Sequence, residues 1–188
     1  SRLAQGAGFG GQLGNSGDDL AAAWTPDGSG VVFAATTNRA DWAHAEVVQS
    51  LWLVSAGGGA SGAGGAGGAG GAGGAGGEPE RLSDGKDDYA GPSFSPDGRT
   101  LYARMTPTNE HTFNNSRLVA FAWPRTGSAV PRAVAGGPDH DVGAYAFTPD
   151  SRTVFFLAED AGHTRLFRAP TTGGREQEVG TMTSGTFG

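Results

Sequence analysis

The densest cluster of titratable side chains in this chain is Asp139-His140-Asp141. A histidine flanked by carboxylates can orient a general base or contribute a metal ligand. A metal site needs further ligands, and no second ligand cluster is evident in the sequence. The residues therefore favour a polar loop that ties neighbouring structural units. Asp84, Asp87 and Asp88 stand close together, but Lys86 interrupts the alternating acids that a calcium loop requires. They read as a solvated loop. His44, His111 and His163 stand alone in loops and read as surface or packing residues. Trp42 and Phe113 lie in two long loops, where exposed aromatics can contact a ligand or another domain, or fold back onto the scaffold. Trp42, Phe113, Asp139, His140 and Asp141 are the candidate contact residues. No residue is assigned a catalytic, cofactor-binding or metal-binding role.

Motif searches narrow the chemistry further. Gly-x-Gly-x-x-Gly occurs at two places, at Gly6, Gly8 and Gly11 and, in overlapping copies, in the glycine-alanine tract, as at Gly62, Gly64 and Gly67. Neither match has the preceding strand, following helix and later acid of a dinucleotide site. Gly-x-Ser-x-Gly occurs nowhere, so the nucleophile elbow of an α/β-hydrolase is not encoded here. Asn114-Asn115-Ser116 fits a glycosylation site, which matters only in a eukaryotic secretory setting.

The elements that position these residues are set by a repeat. Trp24-Thr25-Pro26-Asp27-Gly28, Phe94-Ser95-Pro96-Asp97-Gly98 and Phe147-Thr148-Pro149-Asp150-Ser151 share an aromatic, a hydroxyl residue, Pro-Asp and a small residue. Pro presets φ for a tight turn, Asp bonds nearby backbone, and Gly accepts the left-handed conformation. Each phrase reads as strand, turn, strand. Ser151 is a poorer left-handed residue than Gly, so the third turn is expected to be slightly strained or of another type. The apolar runs that follow, Val31–Phe33, Leu101–Ala103 and Val154–Leu157, are nearly continuous, which suits strands covered on both faces. A third strand follows in each unit, at Leu51–Ser55, Arg117–Phe121 and Arg165–Arg168. A fourth follows at Glu80–Ser83, Pro131–Val134 and Glu176–Val179.

Four strands per unit define a propeller blade. The prolines at 26, 96 and 149 lie 70 and 53 residues apart. The first gap contains a glycine-alanine insert at 57–77. Without it the period is about 50, longer than the roughly 40–45 of common propeller repeats. The insert cannot bury enough apolar surface to offset its ordering entropy and is expected to be a disordered loop. The expected fold is all-β: a partial β-propeller of about three four-stranded blades. Residues 1–19 form an N-terminal segment, 20–84, 85–137 and 138–180 are the blades, and 181–188 begin a further one.

Composition sets outer bounds. The chain has 188 residues, a formal charge of −6 and no cysteine. Disulfides and thiolate metal sites are excluded, and net acidity argues against a nucleic-acid backbone as partner. No segment has the apolar length to span a membrane. Propellers close with 4–8 blades, so three blades read as part of a longer protein; the alternative is closure by copies of the same chain. An open stack would expose apolar blade faces, and marginal folding of the isolated segment is expected.

The Trp-Thr-Pro-Asp-Gly and Phe-Ser-Pro-Asp-Gly phrases, with their Val-Val-Phe and Leu-Tyr-Ala strands, resemble the repeats of bacterial TolB-type propellers. Three longer stretches resemble the propeller of the prolyl oligopeptidase family of serine peptidases, in its acylaminoacyl-peptidase and dipeptidyl-peptidase branches. They are Asp87–Tyr102, Ser116–Pro124, and Thr148–Val154 continued by Ala158–His163. That resemblance implies a propeller capping an α/β-hydrolase domain with a Ser-Asp-His triad. The propeller would limit access by size, with short peptides as substrates and the hydrolase domain of the same parent chain as partner. None of the family's catalytic residues maps onto this chain. No cofactor is implied, and the compartment stays open between periplasm, exterior and cytoplasm of a bacterium. A TolB-like protein-binding module is the second reading.

Overall fold

The computed structural model describes residues 21–37, 47–56, 77–109, 114–125, 130–137, 139–160 and 162–180. Twelve strands make up these residues, and no helix is present among them. The first sheet holds β1 (Ala22–Trp24), β2 (Gly30–Ala35), β3 (Ser50–Ser55) and β4 (Glu80–Arg81). The second holds β5 (Asp88–Phe94), β6 (Thr100–Thr106), β7 (Arg117–Ala122) and β8 (Arg132–Ala135). The third holds β9 (Asp141–Phe147), β10 (Thr153–Asp160), β11 (His163–Pro170) and β12 (Gln177–Glu178). Each sheet is four-stranded, with its strands in sequence order and antiparallel. This is the meander of a propeller blade, in agreement with the expected partial propeller.

The Pro-Asp phrases lie where the sequence places them, between the first and second strands. Trp24 pairs with Val31, Phe94 with Leu101, and Phe147 with Val154, so the three hairpins share one register. The continuous apolar runs are explained by the stacking. Along β6, Leu101 and Ala103 point into the seam with the first sheet, where they meet Val32, Ala34 and Leu51. Tyr102, between them, points into the seam with the third sheet and meets Val154, Phe156 and Phe167. A strand in a middle blade must be apolar on both faces, and the alternation seen in one-sided sheets disappears.

Several strand limits shift by a residue from expectation, and two shift by more. The third strand of the third sheet runs His163–Pro170 rather than Arg165–Arg168, because the hairpin stays paired up to Asp160 and His163. The fourth strand of the first sheet is only Glu80–Arg81. Beyond it Leu82 N still donates to Leu51 O (2.7 Å), but Ser83 Oγ takes the Leu51 N–H (3.1 Å) in place of a backbone carbonyl. The glycine-alanine tract lies outside the described residues except for Gly77.

Candidate functional site

The three turns are built alike from short-range hydrogen bonds. Thr25 Oγ1, Ser95 Oγ and Thr148 Oγ1 donate to the Oδ1 of Asp27, Asp97 and Asp150 at 2.7, 2.6 and 2.6 Å. The same hydroxyls accept from the N–H of Gly30, Thr100 and Thr153 at 2.9, 3.1 and 3.1 Å. Each aspartate also accepts the N–H two residues on, from Ser29, Arg99 and Arg152. Donors aimed at the ionised form stabilise it. The Thr25 hydroxyl, with the backbone and hydroxyl of Ser29, holds Asp27 down at about 2. The Ser95 hydroxyl lowers Asp97, and the Thr148 hydroxyl lowers Asp150, each helped by the backbone donor that follows.

Ser151 proves to be in the same turn type as its glycine counterparts. Its φ is 59°, beside 69° at Gly28 and 70° at Gly98. The neighbouring turn explains why serine stands there. A Cβ on Gly98 would sit 2.7 Å from Pro26 Cβ, so glycine is required at the first seam. At the second seam the room is filled by the Ser151 hydroxyl, whose Oγ accepts from Asp97 N at 3.0 Å.

A second repeated device closes the seams at the other end of the strands. Asp88 Oδ1 accepts Gln49 N at 2.6 Å, and Tyr89 N donates to Gln49 O at 2.9 Å. Asp141 Oδ1 accepts Ser116 N at 2.8 Å, and Val142 N donates to Ser116 O at 3.0 Å. Gln49 and Ser116 each immediately precede the third strand of their blade, so the opening residues of the next blade grip backbone groups that the ladder does not use. The sequence carries a signal for this clasp that its motifs did not suggest. Asp88 precedes Phe94 by six positions, and Asp141 precedes Phe147 by six. Asp18 precedes Trp24 by the same spacing and lies outside the described residues.

The second seam has further ties. Tyr145 Oη donates to Gly91 O at 2.6 Å, with Tyr102 O at 3.3 Å. Gly91 sits in an interruption of the β5–β6 register, with φ of 56°, which leaves its carbonyl available to the phenol. Burial pushes the Tyr145 phenol well above the ordinary tyrosine range. Arg132 Nη2 donates to Thr171 O at 2.9 Å, and Thr171 Oγ1 donates to Ser151 O at 2.7 Å.

Asp139, His140 and Asp141 separate in space. Asp141 belongs to the clasp. Asp139 is exposed, at the rim of an open depression of about 310 Å3 lined also by Gly136, Gly137, His140, Gly174 and Glu176. His140 Nδ1 lies 2.6 Å from Glu176 Oε2, and its ring lies 4.4 Å from that of Phe167. Glu176 Oε1 accepts Gly136 N at 2.6 Å. A carboxyl oxygen at this distance accepts when the imidazole carries its proton on Nδ1. A histidine oriented by an acid is two-thirds of a hydrolytic triad. Among the described residues, none that lines this depression is a serine, threonine or cysteine. Glu176 acts here as a bridge from β8's end to the start of the third sheet.

The remaining sequence candidates fall as follows. Trp42, Phe113, His44 and His111 lie outside the described residues. Asp88 is in the first clasp, Asp87 Oδ1 accepts Thr108 N at 3.1 Å, and Asp84 Oδ1 accepts Lys86 N at 3.0 Å. Among the described residues, no group of three or more His, Cys, Asp or Glu is placed to hold a metal ion. No helix among them is long and apolar enough to cross a membrane.

Similarity to known proteins agrees with this geometry. No protein-family model matches the chain. Dipeptidyl-peptidase 5 of Aspergillus fumigatus is 34% identical over 86 residues, which cover 45% of this chain and 12% of that protein. A dipeptidyl-peptidase 5 relative from Aspergillus clavatus is 32% identical over 88 residues, again 12% of its length. The match thus spans about an eighth of these curated relatives. Among solved structures, a TolB from Agrobacterium tumefaciens superimposes with a TM-score of 0.53 and 17% identity, covering 86% of this chain and 50% of that one. A puromycin-hydrolyzing peptidase of Mycobacterium tuberculosis gives a TM-score of 0.59 and 16% identity, covering 86% of this chain and 22% of that one. The curated relatives are fungal and do not support the expected bacterial source. The chain is thus a partial β-propeller that resembles TolB in fold and, over 86 residues of sequence, dipeptidyl-peptidase 5, the likeness expected of a prolyl-oligopeptidase-type propeller.

Proposed function

We propose that these blades are the non-catalytic propeller wall of a prolyl-oligopeptidase-like serine peptidase, restricting which peptides reach a hydrolase domain elsewhere in the protein. The observation that carries the reading is the 34% identity to dipeptidyl-peptidase 5 over 86 residues. The site geometry is consistent with a wall. A size filter must not open between its blades, and both seams are filled by apolar side chains and clasped at the strand ends. Among the described residues, the acid-oriented His140 has no serine, threonine or cysteine beside it in its depression.

Two assays test this. The purified chain should not hydrolyse dipeptidyl chromogenic substrates; robust activity abolished by a serine-directed inhibitor would sink the reading. In the whole protein, Asp141→Ala loosens the second seam. Hydrolysis of long peptides should then rise relative to dipeptidyl substrates, and an unchanged ratio would remove the gating role. A TolB-like binding module is the second reading, favoured by the TolB structures that match 85–86% of the chain. It predicts that the rest of the protein carries no nucleophile elbow.

A further inference from the structure

We propose that Arg104 is a carboxylate-binding residue on the channel side of the second seam, and that it holds the carboxylate of a peptide passing along the propeller wall. The repeat shows that the scaffold itself calls for no charge there. By register Arg104 corresponds to Ala34 in the first sheet and to Leu157 in the third. Its ladder partner Leu118 lies in the apolar cluster of the second seam, so the Arg104 side chain enters that same seam. A half-buried guanidinium is costly unless something pairs with it. Arg165, in the third sheet, meets Asp160 and Glu178 at 3.4 and 3.2 Å, and Arg132 donates to Thr171 O. Arg104 makes no hydrogen bond and no ion pair among the described residues. A charge that breaks the repeat and has no partner marks a site kept for function.

The place of the guanidinium defines the ligand. It lies over Gly91, where a Cβ would be 3.7 Å from Nε and 3.8 Å from Nη2. Tyr145 stands beside it, bonded through its phenol to Gly91 O, and the Arg104 charge works against the effect of burial on that phenol. Gly91 and Tyr145 belong to β5 and β9, the first strands of two successive blades, and first strands line the central channel of a propeller. The head group therefore sits between two channel-lining strands with its donors unspent. Its planar fork matches a carboxylate, which it can take with two parallel N–H···O bonds. The Tyr145 hydroxyl is already spent on Gly91 O, so it holds the floor of the site and leaves the ligand to Arg104. In a peptide the carboxylate is either the C-terminus or an acidic side chain. The choice of a peptide as ligand rests on the proposed function; the unpartnered guanidinium does not.

Equilibrium dialysis on the whole protein, treated with a serine-directed inhibitor, reads binding apart from cleavage. The probes are N-acetylated trialanine with a free C-terminus, its C-terminal amide, and the amide with glutamate as its central residue. At least one of the two carboxylate peptides should bind about ten-fold or more tighter than the plain amide, and which one does so tells the C-terminus from an acidic side chain. Arg104→Leu should remove that preference without lowering Tm, because leucine already fills the corresponding place in the third sheet. A residue of the scaffold alone would give the reverse, a lower Tm and an unchanged preference. Arg104→Lys keeps the charge and loses the fork, so the preference should shrink without vanishing; this arm decides the matter if Arg104→Leu fails to fold. Equal binding of all three peptides by the native protein overturns the site, as does a preference that survives both substitutions. Hydrolysis is read separately on untreated protein. Carboxylate binding without hydrolysis removes the peptidase and leaves the site, whereas hydrolysis with no carboxylate preference removes the site and leaves the peptidase.

Discussion

Tyr145→Phe is the sharpest probe of the seams. The substitution removes one oxygen and leaves the ring, whose edge-on contact with Phe147 (5.6 Å, 76°) survives. What is lost is the 2.6 Å hydrogen bond to Gly91 O and the weaker approach to Tyr102 O, both in the second sheet. The net value of such a bond is about 0.5–1.5 kcal/mol, and a buried carbonyl left without a partner costs about 1–3 kcal/mol. Gly91 lies in the interrupted stretch of β5, so the ladder offers it no replacement donor. A loss of about 1.5–3 kcal/mol follows. For a chain of this size each kcal/mol is worth about 2–4 °C, so Tm should fall by roughly 3–12 °C. Urea unfolding should report the same loss, and hydrogen exchange should show weaker protection in both β5 and β9. A change below about 0.5 kcal/mol, or faster exchange confined to β9, would refute the claim that this phenol joins the two blades.

Other outcomes follow from the same contacts. Gly98→Ala places a Cβ 2.7 Å from Pro26 Cβ at a φ of 70°, so it should destabilise by more than about 2 kcal/mol, whereas Ser151→Ala keeps its backbone and loses one hydrogen bond, about 1 kcal/mol; equal losses would contradict the seam geometry. The carboxyls of Asp27, Asp97 and Asp150 are depressed on folding, so their contribution is complete above the unfolded value of 3.8 and is lost as pH falls, towards about 2 for Asp27. Acid titration of stability should show that loss, and the triple Asp→Asn variant should flatten it. The three tyrosines, Tyr89, Tyr102 and Tyr145, are raised by burial, so stability should be complete below pH 10 and lost as pH climbs above it. Tyrosinate absorbance should therefore appear together with unfolding; free ionisation of the folded protein would be the contrary result.

The blades were legible because each is written locally. Pro26, Pro96 and Pro149 fix the turns, and the apolar runs after them fix the second strands. The seams were less legible because their ties join backbone groups far apart in the chain. Gln49 and Ser116 contribute only N–H and C=O, which any residue could supply, so their side chains gave no signal. Asp141 stands out in the sequence by its neighbours rather than its spacing, and Asp88 sits among acids that read as a solvated loop. The six-residue interval from aspartate to aromatic marks both. Glu176 carries no signal in the sequence, because its partner His140 is 36 residues away and isolated acids in loops are common. The serine at position 151 looked like a weaker glycine until the neighbouring Asp97 N–H was placed against it.

The proposed function makes this chain the wall, and another part of the protein the catalytic body, of a serine peptidase. The whole protein should be treated with a fluorophosphonate probe and the labelled peptide mapped. The account predicts a single labelled serine, outside these 188 residues and inside a Gly-x-Ser-x-Gly turn. Label on a serine of this chain, or none anywhere on an active and folded protein, would contradict it.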